Sequence, residues 1–397
     1  MATKLFATMA QIVVVALFGV TAAQAGERIL LSFNHTQGAN PLAGLTSDAA
    51  GNFYGTTSSG GKNGCGTVFE LSPGGGKWQE TVLYSFAGCQ SVTHTPRGAL
   101  TFDKLGNLYG VFQGYFTDGS IFELSKTANG KWSERTIHNF TNSEGLPNQD
   151  LTWDSAGNLY GTTQLDSTGF DGEVFELSPQ PDGTWKEAIL YPFNYANGVG
   201  FPVGGPIFDS KGNLYGAAYY GPNHTFGSIY QLSPQANGGW TLSVLSSGVT
   251  GEPGSRLTFD SSGNLYGTFG AGSNGAIFQL SPTSNGNWTE TTVHTFSSGT
   301  DGANPQGPLV IDTSGNIYGA TYAGGTGCNR NLCGTIYKLT PQIGGTWKET
   351  ILHQFESASD GSAPQAGVFV DSSGNVYGTT SVGGGRYGYG TVYEIIP

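Results

Sequence analysis

An all-β ring of seven four-stranded blades is the fold class that this 397-residue sequence predicts, and three observations predict it. The turn sequence Asp-x-x-Gly-Asn-(apolar)-Tyr-Gly recurs seven times, beginning at Asp48, Asp103, Asp154, Asp209, Asp260, Asp312 and Asp371. A proline stands seven residues before each copy: Pro41, Pro96, Pro147, Pro202, Pro253, Pro305 and Pro364. The seventh unit stops at Pro397, where its fourth strand should begin, and a segment that matches that strand lies near the N-terminus. Self-similarity at a period of about fifty residues, with no helical pattern inside the unit, signals a repeat fold whose units bury a shared core by stacking.

Each unit holds four short apolar or alternating runs separated by Gly, Asn, Ser and Pro, the signature of strands and turns. In the first unit they are 42–49, 53–58, 67–72 and 78–86. The first two join through Asp48 to Asn52, where Asp suits an Asx-turn and Gly51 can take positive φ. The third strand reads Thr-Val-Phe-Glu-Leu-Ser-Pro at 67–73 and recurs in every unit. The fourth opens with Trp78, Trp132, Trp185, Trp240, Trp288 or Trp347. The missing seventh copy is supplied by Glu27-Arg-Ile-Leu-Leu-Ser-Phe33, which aligns with Glu80-Thr-Val-Leu-Tyr-Ser-Phe86. A seven-bladed β-propeller follows, its ring closed by the N-terminal strand completing the last blade.

The first 25 residues carry Lys4, an apolar stretch from Ile12 to Val20 and the small-residue pattern Ala23-Gln-Ala25, the form of a secretory signal peptide cleaved after Ala25. One propeller domain over 26–397 is then expected, secreted or periplasmic and monomeric. No run reaches the roughly 18 apolar residues of a membrane span. Charged residues are 11% of the chain against a usual share of about 25%, so neutral polar turns supply most of its contact with water. A formal charge of −12, with no basic stripe, excludes nucleic acid and anionic lipid as expected partners.

Four cysteines in an exported protein predict two disulfides, with three possible pairings. Cys65 lies between the second and third strands of unit one and Cys89 follows the fourth; these loops emerge on one face, which favours Cys65–Cys89. Cys328 and Cys333 share one loop of unit six, which favours Cys328–Cys333.

With those residues in place, the chain resembles the GloVer choice-of-anchor tandem-repeat family of exported bacterial proteins. The matching blocks are Gly51 to Thr57 and Gly64 to Leu71, echoed at Cys333 to Leu339. The resemblance spans the whole predicted mature chain and implies a propeller-like repeat and an exported location. It brings no activity or catalytic residues with it. Members are named for varied C-terminal anchors, whereas this chain ends in Glu394-Ile-Ile-Pro397, so a freely released form is expected.

Candidate chemistry is sparse. Two residues after each repeated Asp stand Ala50, Leu105, Ala156, Lys211, Ser262, Ser314 and Ser373, which lack the alternating oxygen ligands of a calcium loop; these Asp residues read as turn formers. His138, His294 and His353 take the strand-four position held by Tyr84 and Tyr191 and read as packing residues without a repeated acidic companion; His35, His94 and His224 lie in loops. No metal site or cofactor is expected.

Variation among copies is the better guide. After the shared proline come Leu42, Arg97, Asn148, Val203, Gly254, Gln306 and Gln365, and two places on, Asp150 and Arg256 share their face by strand alternation. These are expected at the mouth of a central channel. The loops between strands two and three carry Tyr115, Phe116, Phe170, Tyr219, Tyr220, His224, Arg386, Tyr387 and Tyr389 on the same end. Aromatic faces beside amide and guanidinium donors suit a glycan or peptide, so the leading expectation is a binding or cell-envelope interaction module. Two alternatives stand beside it: a polysaccharide lyase, glycoside hydrolase or antibiotic-inactivating lyase working through Asp150, Arg97, Arg256 or His94, and a purely structural surface protein.

Overall fold

The computed structural model describes residues 26–87, 89, 95–114, 119–141, 144–164, 171–194, 198–248, 251–271, 274–326, 333–356 and 359–397. They form seven antiparallel sheets, each built from one repeat and each one blade of a seven-bladed β-propeller. Blade one runs through Thr46–Ser47, Phe53–Thr57, Thr67–Gly74 and Lys77–Ser85 in simple meander order. In blade seven the order is Phe369–Val370, Val376–Thr380, Thr391–Ile396 and then Gly26–Ser32, so the predicted closure is present. Gly26 pairs with Ile396 and Ser32 with Thr391, and the Arg28 guanidinium bonds the Glu394 carboxylate at 2.8 Å.

The repeated motif is a set of mutual constraints. Asp48 Oδ1 accepts hydrogen bonds from the backbone N–H of Ala50 (2.9 Å) and Asn52 (3.0 Å). Its Oδ2 accepts from the Asn52 side-chain amide (2.8 Å) and the Tyr54 hydroxyl (3.0 Å). The same four-donor cage surrounds the other six Asp residues, with Gly157 as one donor in blade three. The glycine after each Tyr clears space for the aromatic ring of strand three: a Cβ on Gly55 would stand 2.6 Å from Phe69 Cζ. Asp, Asn, Tyr and Gly therefore recur because each closes the same turn or packs the same ring.

The core is divided among the seven blade interfaces. At the second, Tyr109, Val111, Ile121 and Phe140 of blade two pack against Leu151, Leu159, Phe175 and Leu177 of blade three. The closing interface is of the same kind, with Phe33, Tyr377 and Val392 packed against Leu45, Phe53, Phe69 and Leu71.

The innermost strand departs from the simple reading. Its expected span 42–49 is a regular strand only at Thr46–Ser47, and in blades two, four and six the register shifts between Arg97 and Thr101, Val203 and Ile207, and Gln306 and Val310. Gly98, at φ 85°, lies within the shift in blade two, and a side chain there would run into the backbone of Gln149 in the next blade.

Candidate functional site

The innermost strands enclose a cavity of about 310 Å³ on the propeller axis. All seven post-proline residues, Leu42, Arg97, Asn148, Val203, Gly254, Gln306 and Gln365, line it, and so does Asp150. Arg256 does not; it lies in the gap between the two short segments of its own innermost strand, Glu252–Pro253 and Thr258–Phe259, where strict side-to-side alternation does not hold, and its backbone packs against Gly204 of blade four.

The lining residues differ in what remains available to a ligand. Asn148 is buried and spends its amide on Thr162 Oγ1 (2.7 Å) and the Pro202 carbonyl (2.9 Å), which ties blade three to blade four. Gln365 donates to Ser381 Oγ at 3.2 Å. The side chains of Arg97, Asp150, Arg256 and Gln306 have no hydrogen-bond or ion-pair partner among the described residues, and burial lowers the Arg97 pKa.

The start of each innermost strand lies beside the end of the second strand, as Gly200 beside Tyr220 and Thr95 beside Gln113 show, so the strand-two to strand-three loops rise at the same end. Two aromatic groups stand there. In blade four, Tyr219 contacts Tyr220 (ring centroids 4.7 Å), Phe201 (5.6 Å) and Phe226 (5.9 Å). Tyr219 donates its hydroxyl to Glu252 of blade five, a bond that with burial pushes its pKa up to about 12. Phe226 is 57% exposed, and His224 is exposed beside it. In blade seven, Tyr387 stacks on Tyr389 at 6.2 Å, the Arg386 guanidinium lies 5.9 Å from the Tyr387 ring, and His35 meets Tyr389 at 5.3 Å. Tyr115, Phe116, Phe170 and His94 lie outside the described residues.

A larger cavity, about 520 Å³, opens between blades two and three on the Asp-turn face. Its polar groups are engaged: Arg135 pairs with Glu123, Trp153 Nε1 donates to Thr101 Oγ1 (3.1 Å), and Asp103 and Asp154 are held in their cages. Size alone does not make it the better site.

With the repeat resolved into blades, the comparison with known families is decisive. The Gloeobacter/Verrucomicrobia repeat matches residues 13–199 and 147–393. The chain belongs to that family. No curated protein sequence matches it. Among solved structures, a protein from Lactobacillus plantarum is similar with a TM-score of 0.55 at 14% identity, over 83% of this chain and 88% of that one. A puromycin-hydrolysing peptidase of Mycobacterium tuberculosis is similar with a TM-score of 0.50 at 12% identity, over 90% of this chain and 52% of its own. At such identities the likeness is one of fold.

Cys65 and Cys89 form the expected disulfide, with Cα atoms 5.5 Å apart. No described cysteine is free, and the expected Cys328–Cys333 bridge rests on Cys328, which lies outside the described residues. No described helix is long and apolar enough to cross a membrane.

One expectation is corrected. His138, His294 and His353 do have acidic companions: each meets an Asp or Glu from the loop six or seven residues on and a Glu from the neighbouring blade. Half of this was readable, since Glu144, Asp301 and Asp360 follow these histidines and no acid takes that place after Leu31, Tyr84 or Tyr191, although Glu252 does after Ser246. The other half, Glu187, Glu349 and Glu27, is a tertiary contact.

Proposed function

We propose that this family member is an exported glycan-binding module whose ligand seats at the mouth of the central channel. The observation that carries the reading is the convergence of the seven variable post-proline residues on one cavity, beside two exposed aromatic groups. Arg97, Gln306 and Asp150 supply unengaged donors and an acceptor for hydroxyl or carboxylate groups, and the blade-four and blade-seven rings supply faces for stacking. Export is supported by the leader pattern over residues 1–25 and by the Cys65–Cys89 bridge.

The lyase and hydrolase readings have less support. Among the described residues lining the channel, Asp150 is the one carboxylate and no histidine joins it, whereas glycoside hydrolysis ordinarily needs a pair of carboxyl groups. A glycan array probed with the exported protein, alongside hydrolase and lyase screens, tests the reading. Saturable binding with the ligand unchanged, and weakened by Arg97→Ala, supports it. Turnover abolished by Asp150→Ala replaces it with the enzyme reading, binding confined to peptides moves it to another ligand class, and silence in every arm leaves a structural surface protein.

A further inference from the structure

A belt of contacts runs around the outside of the ring where the fourth strand of one blade meets the fourth strand of the next. The residue six places after the blade-opening Trp faces the residue two places after the next one. Around the ring the pairs are Tyr84 with Glu134, His138 with Glu187, Ser246 with Glu290, His294 with Glu349 and His353 with Glu27. Where the first member is His, an acid from the following loop joins it: Glu144, Asp301 or Asp360; the acid six places after Ser246, Glu252, instead accepts the Tyr219 hydroxyl.

The three clusters share a geometry. In each, one imidazole nitrogen and two carboxylate oxygens lie within 4.8 Å of one another. His138 Nε2 is 3.4 Å from Glu187; His294 Nε2 is 3.1 Å from Asp301 and 3.4 Å from Glu349; His353 Nε2 is 3.0 Å from Asp360 and 3.8 Å from Glu27. Imidazole–carboxylate hydrogen bonds close to about 2.7–2.9 Å. Two ligands bound to one ion at about 2.0–2.1 Å stand roughly 3.3 Å apart around a tetrahedral centre. The longer separations fit the second case.

Some of the atoms that face each centre are left without hydrogen bonds, whereas His294 Nε2 bonds Asp301 (3.1 Å) and His353 Nε2 bonds Asp360 (3.0 Å). His138 Nε2, Glu187 Oε1, Glu349 Oε1 and Glu27 Oε1 are fully buried and form no hydrogen bond. Buried polar atoms are rarely left so, and an unseen ion is one standard reason. The loop acid is held from behind in all three copies by a backbone N–H: Thr141 to Glu144 at 2.6 Å, Ser297 to Asp301, and Glu356 to Asp360 at 3.0 Å. That is how proteins orient a ligating carboxylate.

The geometry points to three equivalent divalent-cation sites, each built from one His and two carboxylates and each clamping neighbouring blades. One nitrogen and two oxygens suit a first-row transition ion of the zinc class, with water completing the shell, better than calcium, which takes about six to eight oxygens.

Native mass spectrometry of chelator-stripped exported protein titrated with Zn2+ tests the assignment, with Co2+ as a spectroscopic substitute and Ca2+ and Mg2+ as competitors. Three Zn2+ ions per folded chain are expected. His138→Ala, His294→Ala and His353→Ala should each remove one and cut the Co2+ absorption by about a third, and the triple variant should bind none. Fewer than three ions on the folded parent, a stoichiometry unchanged in the variants, or displacement of Zn2+ by equal Ca2+ or Mg2+ overturns the assignment. The parent titration stands whether or not the triple variant folds.

Discussion

The two ends of the propeller axis contrast sharply. At the Asp-turn end the seven copies are the same, and each carboxylate is saturated by four donors; at the channel end the copies differ, and Arg97, Asp150 and Gln306 have no side-chain partner among the described residues. A polar group that folding requires is satisfied within the fold, because an unmet buried donor or acceptor costs about 1–3 kcal/mol. A group held near an opening and left unmet is available to something else. Uniformity among repeats therefore marks what builds the blade, and variation marks where recognition has room to act.

The largest expected effect comes from breaking the uniform scaffold at its one discontinuous blade. Deleting residues 26–33 removes the fully buried Phe33, the packing of Ile29 and Leu31 at the two interfaces of blade seven, and the Arg28–Glu394 pair. Loss of Phe33 alone should cost about 3–5 kcal/mol. The truncated protein is expected to lose its cooperative transition or melt more than roughly 10 °C lower, read by circular dichroism. A melting curve that overlays the parent's would show that blade seven does not need its fourth strand.

Next in size is a single methyl group at the uniform end. Gly267→Ala places a Cβ 2.5 Å from Phe278 Cζ and 3.0 Å from Leu257 Cδ2, inside the interface between blades four and five. Overpacking of this kind costs about 1–3 kcal/mol. Asp260→Ala, which strips the cage of its acceptor, belongs in the same range. Both should lower the melting temperature and leave ligand affinity unchanged. Binding lost at Asp260 in a protein that stays folded would move recognition to the other end.

The variable end should respond in the opposite sense. Arg97→Ala and Tyr220→Ala are expected to weaken binding of an array-identified glycan by roughly tenfold, about 1.4 kcal/mol, with melting shifted by no more than about 1 °C. Isothermal titration beside calorimetric melting separates the two responses. If both variants lose stability and keep affinity, the contrast between the ends fails.

The sequence carries the blade in detail because the Asp, Asn and Tyr of the turn motif have partners within six positions, as Asp48 has in Asn52 and Tyr54. Ring closure was legible for a related reason: Glu27 to Phe33 keeps the spacing of the strand it replaces. The channel lining was legible as a set, since seven residues at one register position must share one location. Arg256 was misplaced because the innermost strand of blade five is broken between Glu252–Pro253 and Thr258–Phe259, a backbone event with no distinct side-chain pattern. The outer His–carboxylate clusters were half hidden, because Glu187, Glu349 and Glu27 approach their histidines across a blade interface that no sequence spacing encodes.

The smallest expected effect lies on that outer belt, at Glu80. It occupies the register position of Glu187 and Glu349, but the residue opposite in register is Leu31, and both its carboxylate oxygens are buried without a hydrogen bond. Burial pushes its pKa up to about 7. Between the ordinary glutamate value, about 4.3, and 7 the folded chain then holds a proton that the unfolded chain releases. Stability from this group is therefore complete below the unfolded value and lost as pH rises through about 7. Blade four already carries the apolar alternative, Leu242 beside Tyr191. Glu80→Leu should leave melting at pH 5 nearly unchanged and raise it by roughly 2–4 °C at pH 8.5, where the parent must bury a charge. Equal shifts at the two pH values would mean that the substitution acts through packing alone, and a fall at pH 8.5 would mean that the ionised carboxylate has a partner in solution.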